Sequence, residues 1–338
     1  VTNKKRNIIK YLVAAAVILL LVNILIENKK KTPKEKNANE LSVAQIEEVF
    51  FKVLDEYGIE DSWVTKKKYK PSEDDSVRTE YFVKLPSDLP VPMIIKEVNS
   101  IIQKDITAFV SEEKKIYGTT EIRIYTNETL KLKVTLMPDK ENVRSRNELA
   151  FIISDAVNLN DNDFRMFLGV YFPVSALVVP DKSNLARTDS LRKYSKEYAV
   201  LISNDIADPA TKLNPDYQKQ LLHGSIGNIL SFFKDALCVI IDEKSRLFRS
   251  QLNGFVSDDF KRRGYPVYRL SELISLDSKE ETELYYRFNT ACIDTAGSRQ
   301  KVYLVSFENF EKLFTGIEKM KKKGNKIIPL SKTYLAKK

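Results

Sequence analysis

The chain has 338 residues, 43% of them hydrophobic, with only 10 Gly and 12 Pro; that composition excludes a disordered or low-complexity protein and suits two domains. The formal net charge of +9 is carried by Lys and Arg at the ends, in 1–36 and 319–338, around a net acidic body. No recognition motif accompanies the charge, so nucleic acid is not expected as a partner and a juxtamembrane chain is.

Residues Ile8–Ile26 read IIKYLVAAAVILLLVNILI, and about 20 apolar residues at 1.5 Å each span a hydrocarbon core. No small-x-small cleavage site follows Ile26, which favours an uncleaved signal anchor over a removed leader. Residues 1–27 are thus predicted to be a membrane anchor with a basic flank and 28–40 a polar stalk. The short stretch before the anchor makes N-inside the default, leaving the soluble body on the extracytoplasmic, periplasmic side of the cytoplasmic membrane.

A small α+β domain is expected over 41–137. Ser42 and Gln45 form a capping-box pair, and Val43, Ile46, Val49, Phe50, Val53, Leu54 and Tyr57 make an apolar stripe that ends at Gly58. Strand composition follows at Trp63–Lys70 and Arg78–Leu85, then a helix from about Met93 to Val110. A hairpin over Ile116–Tyr125 and Thr129–Met137, with Asn127-Glu128 at its tip, completes an α-β-β-α-β-β order. Trp63, Lys66, Lys67, Lys68 and Tyr69 suit either contact with an acidic surface or a Lys-guarded edge strand.

Residues 138–148 read as a linker, and 149–338 as a second domain. Its short apolar runs, Leu149–Ile153, Val174–Val179, Ala199–Ile202, Ala236–Ile241, Pro266–Tyr268, Val302–Val305 and Lys326–Ile328, alternate with amphipathic stretches such as Tyr217–Phe233, Lys279–Ala291 and Phe307–Lys323. Seven strands with helices between them imply a parallel sheet, open or closed, whose site lies at the strand carboxyl ends. The fold class expected is α/β, a deformed seven-stranded (β/α) barrel preceded by the small domain and a transmembrane helix.

Within 149–335 the landmarks resemble the divergent polysaccharide deacetylases, a branch of the NodB-like carbohydrate esterases. They are Phe151-Ile152-Ile153-Ser154-Asp155, Pro173-Val174-Ser175 running on to Pro180, and Lys323-Gly324 before an apolar run and Thr333-Tyr334-Leu335. The resemblance implies a general base at the first position of the opening pair and a metal ligand at the second; here these are Ser154, whose hydroxyl is no base near neutral pH, and Asp155.

Other motif positions have changed too. Ile202 stands where the family has a His. In Ile241-Asp242-Glu243-Lys244-Ser245, Asp242 takes the place of a ligand His. Leu270-Ser271-Glu272 replaces a Leu-Asp-Ser, and Pro329-Leu330-Ser331 replaces a closing Gly-His-Pro.

The single histidine, His223, excludes a multi-histidine metal site and suits a surface or packing role. Cys238 and Cys292 show neither metal spacing nor a disulfide framework. No cofactor is expected on this reading, and the chain is expected to be a catalytically emptied deacetylase-like protein that binds a glycan or an envelope protein. The alternatives are an active deacetylase with an all-oxygen divalent-metal site on Asp155 and Asp242 with Glu243 adjacent, and a purely structural envelope scaffold. Asp155 and Asp242 also suit helix capping.

Overall fold

The computed structural model describes residues 41–70, 77–102, 108–114, 116, 118–126, 128–144, 147–293 and 299–336. The expected anchor at 8–26 and its stalk lie outside them. Among the described residues no helix is long and apolar enough to cross a membrane.

Helix α1 (Val43–Glu56) begins on the capping box: the Gln45 amide donates to Ser42 Oγ at 3.3 Å and the Ser42 amide to Gln45 Oε1 at 2.9 Å. It ends before Gly58, whose φ of +69° suits glycine. Strands β1 (Val64–Lys68) and β2 (Thr79–Pro86) form an antiparallel pair, and helix α2 spans Val91–Ile102.

The sequence expectation of one helix on to Val110 fails here, because Ala108–Glu113 is a strand, β3, paired antiparallel with β4 (Thr120–Thr126). Phe109 and Val110 favour the pleated conformation, and β4 supplies the partner that a local helical pattern cannot see. β5 (Thr129–Asp139) follows a turn in which Glu128 has a φ of 67°; Asn127, the other expected tip residue, lies outside the described residues.

The five-stranded order is β1-β2-β5-β4-β3, parallel only between β2 and β5. Alternate residues Leu130, Leu132, Val134 and Leu136 of β5 are buried, and α1 and α2 cover that face with Ile46, Phe50, Ile94 and Val98. β1 is one of the two edge strands, with Lys66 lying over the Phe51 and Tyr81 rings and Lys67 over Phe82. Trp63, expected on the surface, is 9% exposed and belongs to the core.

The second sheet is wholly parallel. In chain order it comprises β6 (Glu148–Ile153), α3 (Asp161–Gly169), β7 (Ser175–Val178), α4 (Leu185–Lys193), β8 (Glu197–Ile202) and α5 (Lys219–Phe232). It continues with β9 (Val239–Ile241), α6 (Asn253–Arg262), β10 (Val267–Arg269), β11 (Ile274–Ser275), α7 (Glu281–Ile293), β12 (Gln300–Val305), α8 (Phe307–Lys322) and β13 (Lys326–Ile327).

Its order is β10-β9-β8-β7-β6-β12-β11, with β13 paired to the first half of β6. The sheet therefore has eight strands rather than seven, and among the described residues its path is open between β10 and β11. The additional strand, β11, has two residues, too few for alternation to register in sequence.

Both faces are buried, which is why these strands read as continuous apolar runs. Leu149, Phe151, Ile153, Val178, Val200 and Tyr303 meet the helices; Ala150, Ile152, Leu177, Ala199, Ile240 and Val302 face inward. The inner face closes on Ile328, Leu330 and Leu335, carried by two 3-10 turns, Leu330–Lys332 and Tyr334–Ala336.

The stretch expected as linker is partly structured, since β5 runs to Asp139. Arg144, 7% exposed, also joins the two sheets' surroundings. Its Nε and Nη2 donate to Asp88 Oδ2 at 3.0 and 2.5 Å, and its Nη1 to the carbonyls of Tyr57 at 3.1 Å and Lys322 at 2.7 Å. Lys322 Nζ adds a 2.9 Å contact to Glu97. Gly324, at φ +103°, leaves room for Arg144, whose side chain lies 3.1 Å from where a Cβ would stand.

Candidate functional site

In a parallel sheet with crossover helices, the carboxyl ends of strands and the N-termini of helices share one side of the molecule. Ser154 and Asp155 follow β6 there. The Ser154 amide donates to Val305 O at 3.0 Å, extending the β6–β12 pairing, and Asp155 Oδ1 accepts from the Phe307 amide at 2.8 Å. Phe307 is the first residue of α8, and its N-cap Ser306 makes no side-chain capping bond. Asp155 supplies that cap from a neighbouring strand.

Asp277, beyond β11, does the same from the other flank. Its Oδ1 accepts from the Ser306 amide at 2.8 Å and from Asn309 Nδ2 at 3.3 Å. Two carboxylates thus converge on the positive end of one helix, where each contributes about 0.3–1 kcal/mol through the dipole in addition to its hydrogen bond. A polar cleft of about 470 Å³ opens beside them, lined by Asp277, Ser278, Lys279, Ser306, Glu308, Asn309 and Lys312.

Asp242 follows β9 and closes its own turn, accepting from the Lys244 amide at 2.9 Å. Glu243 accepts from both the amide and the hydroxyl of Ser271, beyond β10. Burial pushes the Glu243 carboxyl up, but the Ser271 bonds and Arg269 outweigh it and hold the group below its usual range. Asp181, beyond β7, accepts from the amides of Ser183, Ala207 and Asp208 at 3.0, 3.2 and 3.0 Å. The Ser183 amide and hydroxyl lead the causes that lower its pKa, against a smaller effect of burial.

The predicted acids are therefore on one side of the sheet without forming one cluster. β9 and β6 are separated by β8 and β7, three inter-strand steps or about 14 Å along the sheet. Asp155 bonds toward β12, away from β7, while Glu243 bonds toward β10. Among the described residues no group of three or more His, Cys, Asp or Glu side chains is placed to hold a metal ion. Asp155 and Asp242 are each engaged by a backbone amide of the segment that follows, those of Phe307 and Lys244.

His223 lies on α5, its Nδ1 at 2.8 Å from Asp259 Oδ2 of α6, with Arg263 Nη2 at 3.0 Å. That is a helix-to-helix clasp away from the strand ends. Pro329-Leu330-Ser331, expected to close the site, lies at the opposite end of the sheet. The Ser331 amide and hydroxyl donate to Glu197, the first residue of β8. β13 causes this displacement by pairing with the amino half of β6. The sequence reading missed Asp181 and Asp277, although each, like Asp155, is an acid shortly after an apolar stretch and shortly before a helical segment.

No family model matches the chain, and no curated protein matches it. Several solved structures do. Polysaccharide deacetylases and a CE4 family pseudoenzyme are among them. A CE4 family pseudoenzyme from Bacillus anthracis is 11% identical, with a TM-score of 0.39 over 69% of this chain and 92% of that one. A polysaccharide deacetylase from Bacillus cereus is 10% identical, with a TM-score of 0.35 over 56% and 95%. An uncharacterized protein from Agrobacterium tumefaciens C58 is 12% identical, with a TM-score of 0.39 over 56% and 89%.

Proposed function

We propose that this chain is a membrane-anchored, deacetylase-like protein that no longer carries out deacetylation and acts by binding a glycan or a protein partner at the cell envelope. The observation that carries the reading is the use made of the strand-end carboxylates. Asp155, Asp181, Asp242 and Asp277 all accept hydrogen bonds from backbone amides of the turns and helices that follow the strands.

An activated water needs a proton acceptor and a metal or its equivalent. Ser154 stands in the base position, and the only imidazole, His223, is bonded to Asp259. A fold of this kind without its chemistry is suited to recognition. The apolar run at 8–26 is what supports the anchor, and the long polar stalk supports a body displaced from the bilayer.

The test is acetate release from chitooligosaccharides and peptidoglycan fragments by the full chain, supplied in turn with zinc, manganese, magnesium and calcium, alongside direct metal analysis. We expect no release above background. Metal-dependent turnover that is lost in Asp155→Asn, a variant that keeps an oxygen acceptor for the Phe307 amide, would establish the rebuilt-site enzyme instead. Cross-linking to glycan strands or envelope proteins in intact cells then separates recognition from a purely structural role.

A further inference from the structure

At the amino ends of β7 and β8, opposite the strand-end carboxylates, lies a cleft of about 250 Å³ whose lining includes Tyr171, Phe172, Tyr194, Lys196, Glu197 and Pro329. Lys196 Nζ donates to the carbonyl of Val170, the C-cap of α3, at 2.7 Å, and stands 5.9 Å from the Phe167 ring centroid. An ammonium has three donors, so two remain beyond that bond. Among the described residues no carboxylate forms an ion pair with it.

Burial alone pushes this amine below the usual lysine range, with no compensating charge. Glu197, its neighbour in sequence, is turned to Ser331, accepting from the amide at 2.9 Å and the hydroxyl at 2.5 Å. Tyr194 is 54% exposed beside the opening, whereas the Tyr171 hydroxyl is bonded to Glu318 and Lys321, with Lys321 over its ring.

A partly buried ammonium that meets a helix-end carbonyl but no carboxylate keeps part of its desolvation cost, which a bound anion offsets. Aromatic and proline walls accept an apolar body. The Glu197 carboxylate, in the same cleft and turned to Ser331, disfavours a dianion such as phosphate more than a monoanion. We propose that this cleft binds a small organic monocarboxylate, with Lys196 as its cation and Tyr194 flanking the apolar part. The inference stands apart from the proposed function, because it uses the other end of the sheet and no metal.

The probes are benzoate and its uncharged isostere benzamide, added to the full chain during limited acetylation near neutral pH, where an ammonium is available to pair with benzoate. Lysine modification is read peptide by peptide by mass spectrometry. Benzoate should slow acetylation of Lys196 about tenfold, the worth of one charge-assisted contact, leave the exposed lysines unchanged, and compete better than benzamide. Lys196→Met should abolish saturable benzoate binding seen by NMR, and Tyr194→Ala, at an exposed position, should weaken it.

If Lys196 only caps α3, benzoate and benzamide will act alike and give no protection, which overturns the proposal. Equal protection by phosphate overturns the choice of ligand. The protection measurement is made on the unaltered chain, so it decides the matter even if Lys196→Met does not fold.

Discussion

The two ends of the parallel sheet use opposite charges for the same purpose. At the carboxyl end, Asp155 and Asp277 meet the amides that open α8, and Asn160 Oδ1 meets those of Asn162 and Asp163 at the start of α3. At the amino end, Lys196 meets the carbonyl that closes α3, and Arg144 meets those that close α1 and α8. Crossover helices run opposite to their strands, so helix N-termini gather at one end and C-termini at the other, and each attracts its complementary charge. The lesson is that a row of acids at the strand ends of such a fold is evidence of capping before it is evidence of catalysis.

The comparison can be strained at four places. The largest effect lies between the ends, in the sheet itself. Burial raises the thiols of Cys238 to about 12 and Cys292 to about 11. At pH 8 a disulfide reagent should therefore react at least a hundredfold more slowly with the native chain than with the urea-unfolded one. These folded values exceed the unfolded value near 9, so their contribution to stability is full below that pH and lost as pH climbs through 11 to 12. Urea midpoints measured from pH 8 to 12 should fall accordingly, and native thiols that react promptly at pH 8 would break the account.

Next comes Arg144→Met, which removes the bonds from this guanidinium to Asp88 and to two helix-terminal carbonyls. A loss of about 3 kcal/mol is expected in urea unfolding, accompanied by earlier exposure of the amides of α1 and α2 in hydrogen exchange. Asp155→Ala should cost about 1–2 kcal/mol as the loss of a cap. Asp155→Asn should cost less, since its amide oxygen still accepts; equal losses in the two would show that charge, not the hydrogen bond, matters at this helix end. Asp242→Ala, which removes a single local turn bond, should cost about 0.5 kcal/mol by thermal unfolding. A larger loss there than at Asp155 would reverse the ranking and point to a role for Asp242 beyond its turn.

Much of this arrangement is legible in the residues. The Ser42–Gln45 pair announces α1, and apolar runs without alternation announce strands buried on both faces. Asp155 and Asp242 announce their strand ends, because an acid between an apolar run and a helix has a local reason to be there. What escapes are features made by distant partners. β3 looks like the tail of a helix until β4 pairs with it, and β11 is too short to leave a pattern.

Arg144 sits in a charged stretch that reads as loop. Its burial depends on Tyr57, Asp88 and Lys322, which no window of sequence brings together. Pro329-Leu330-Ser331 matches the order of a closing motif, yet its place is set by the pairing of β13 with the amino half of β6, and that pairing puts it at the wrong end for chemistry.

That same pairing has a consequence for how the chain is made. β6 is hydrogen-bonded to β7, but also to β12 and β13, and the Asn147–Asn325 bond beside it joins residues 178 apart. Until the last residues are in place, β6 and its neighbours have one flank bare and the inner face uncovered, and local helices cannot supply the missing partners. The five-stranded unit contains all its own strands, whereas the parallel sheet is complete only when residues 326–336 are present. A premature stop in α8 would therefore release a polypeptide with an exposed apolar sheet, a substrate for chaperones and proteases rather than a shortened version of the native molecule.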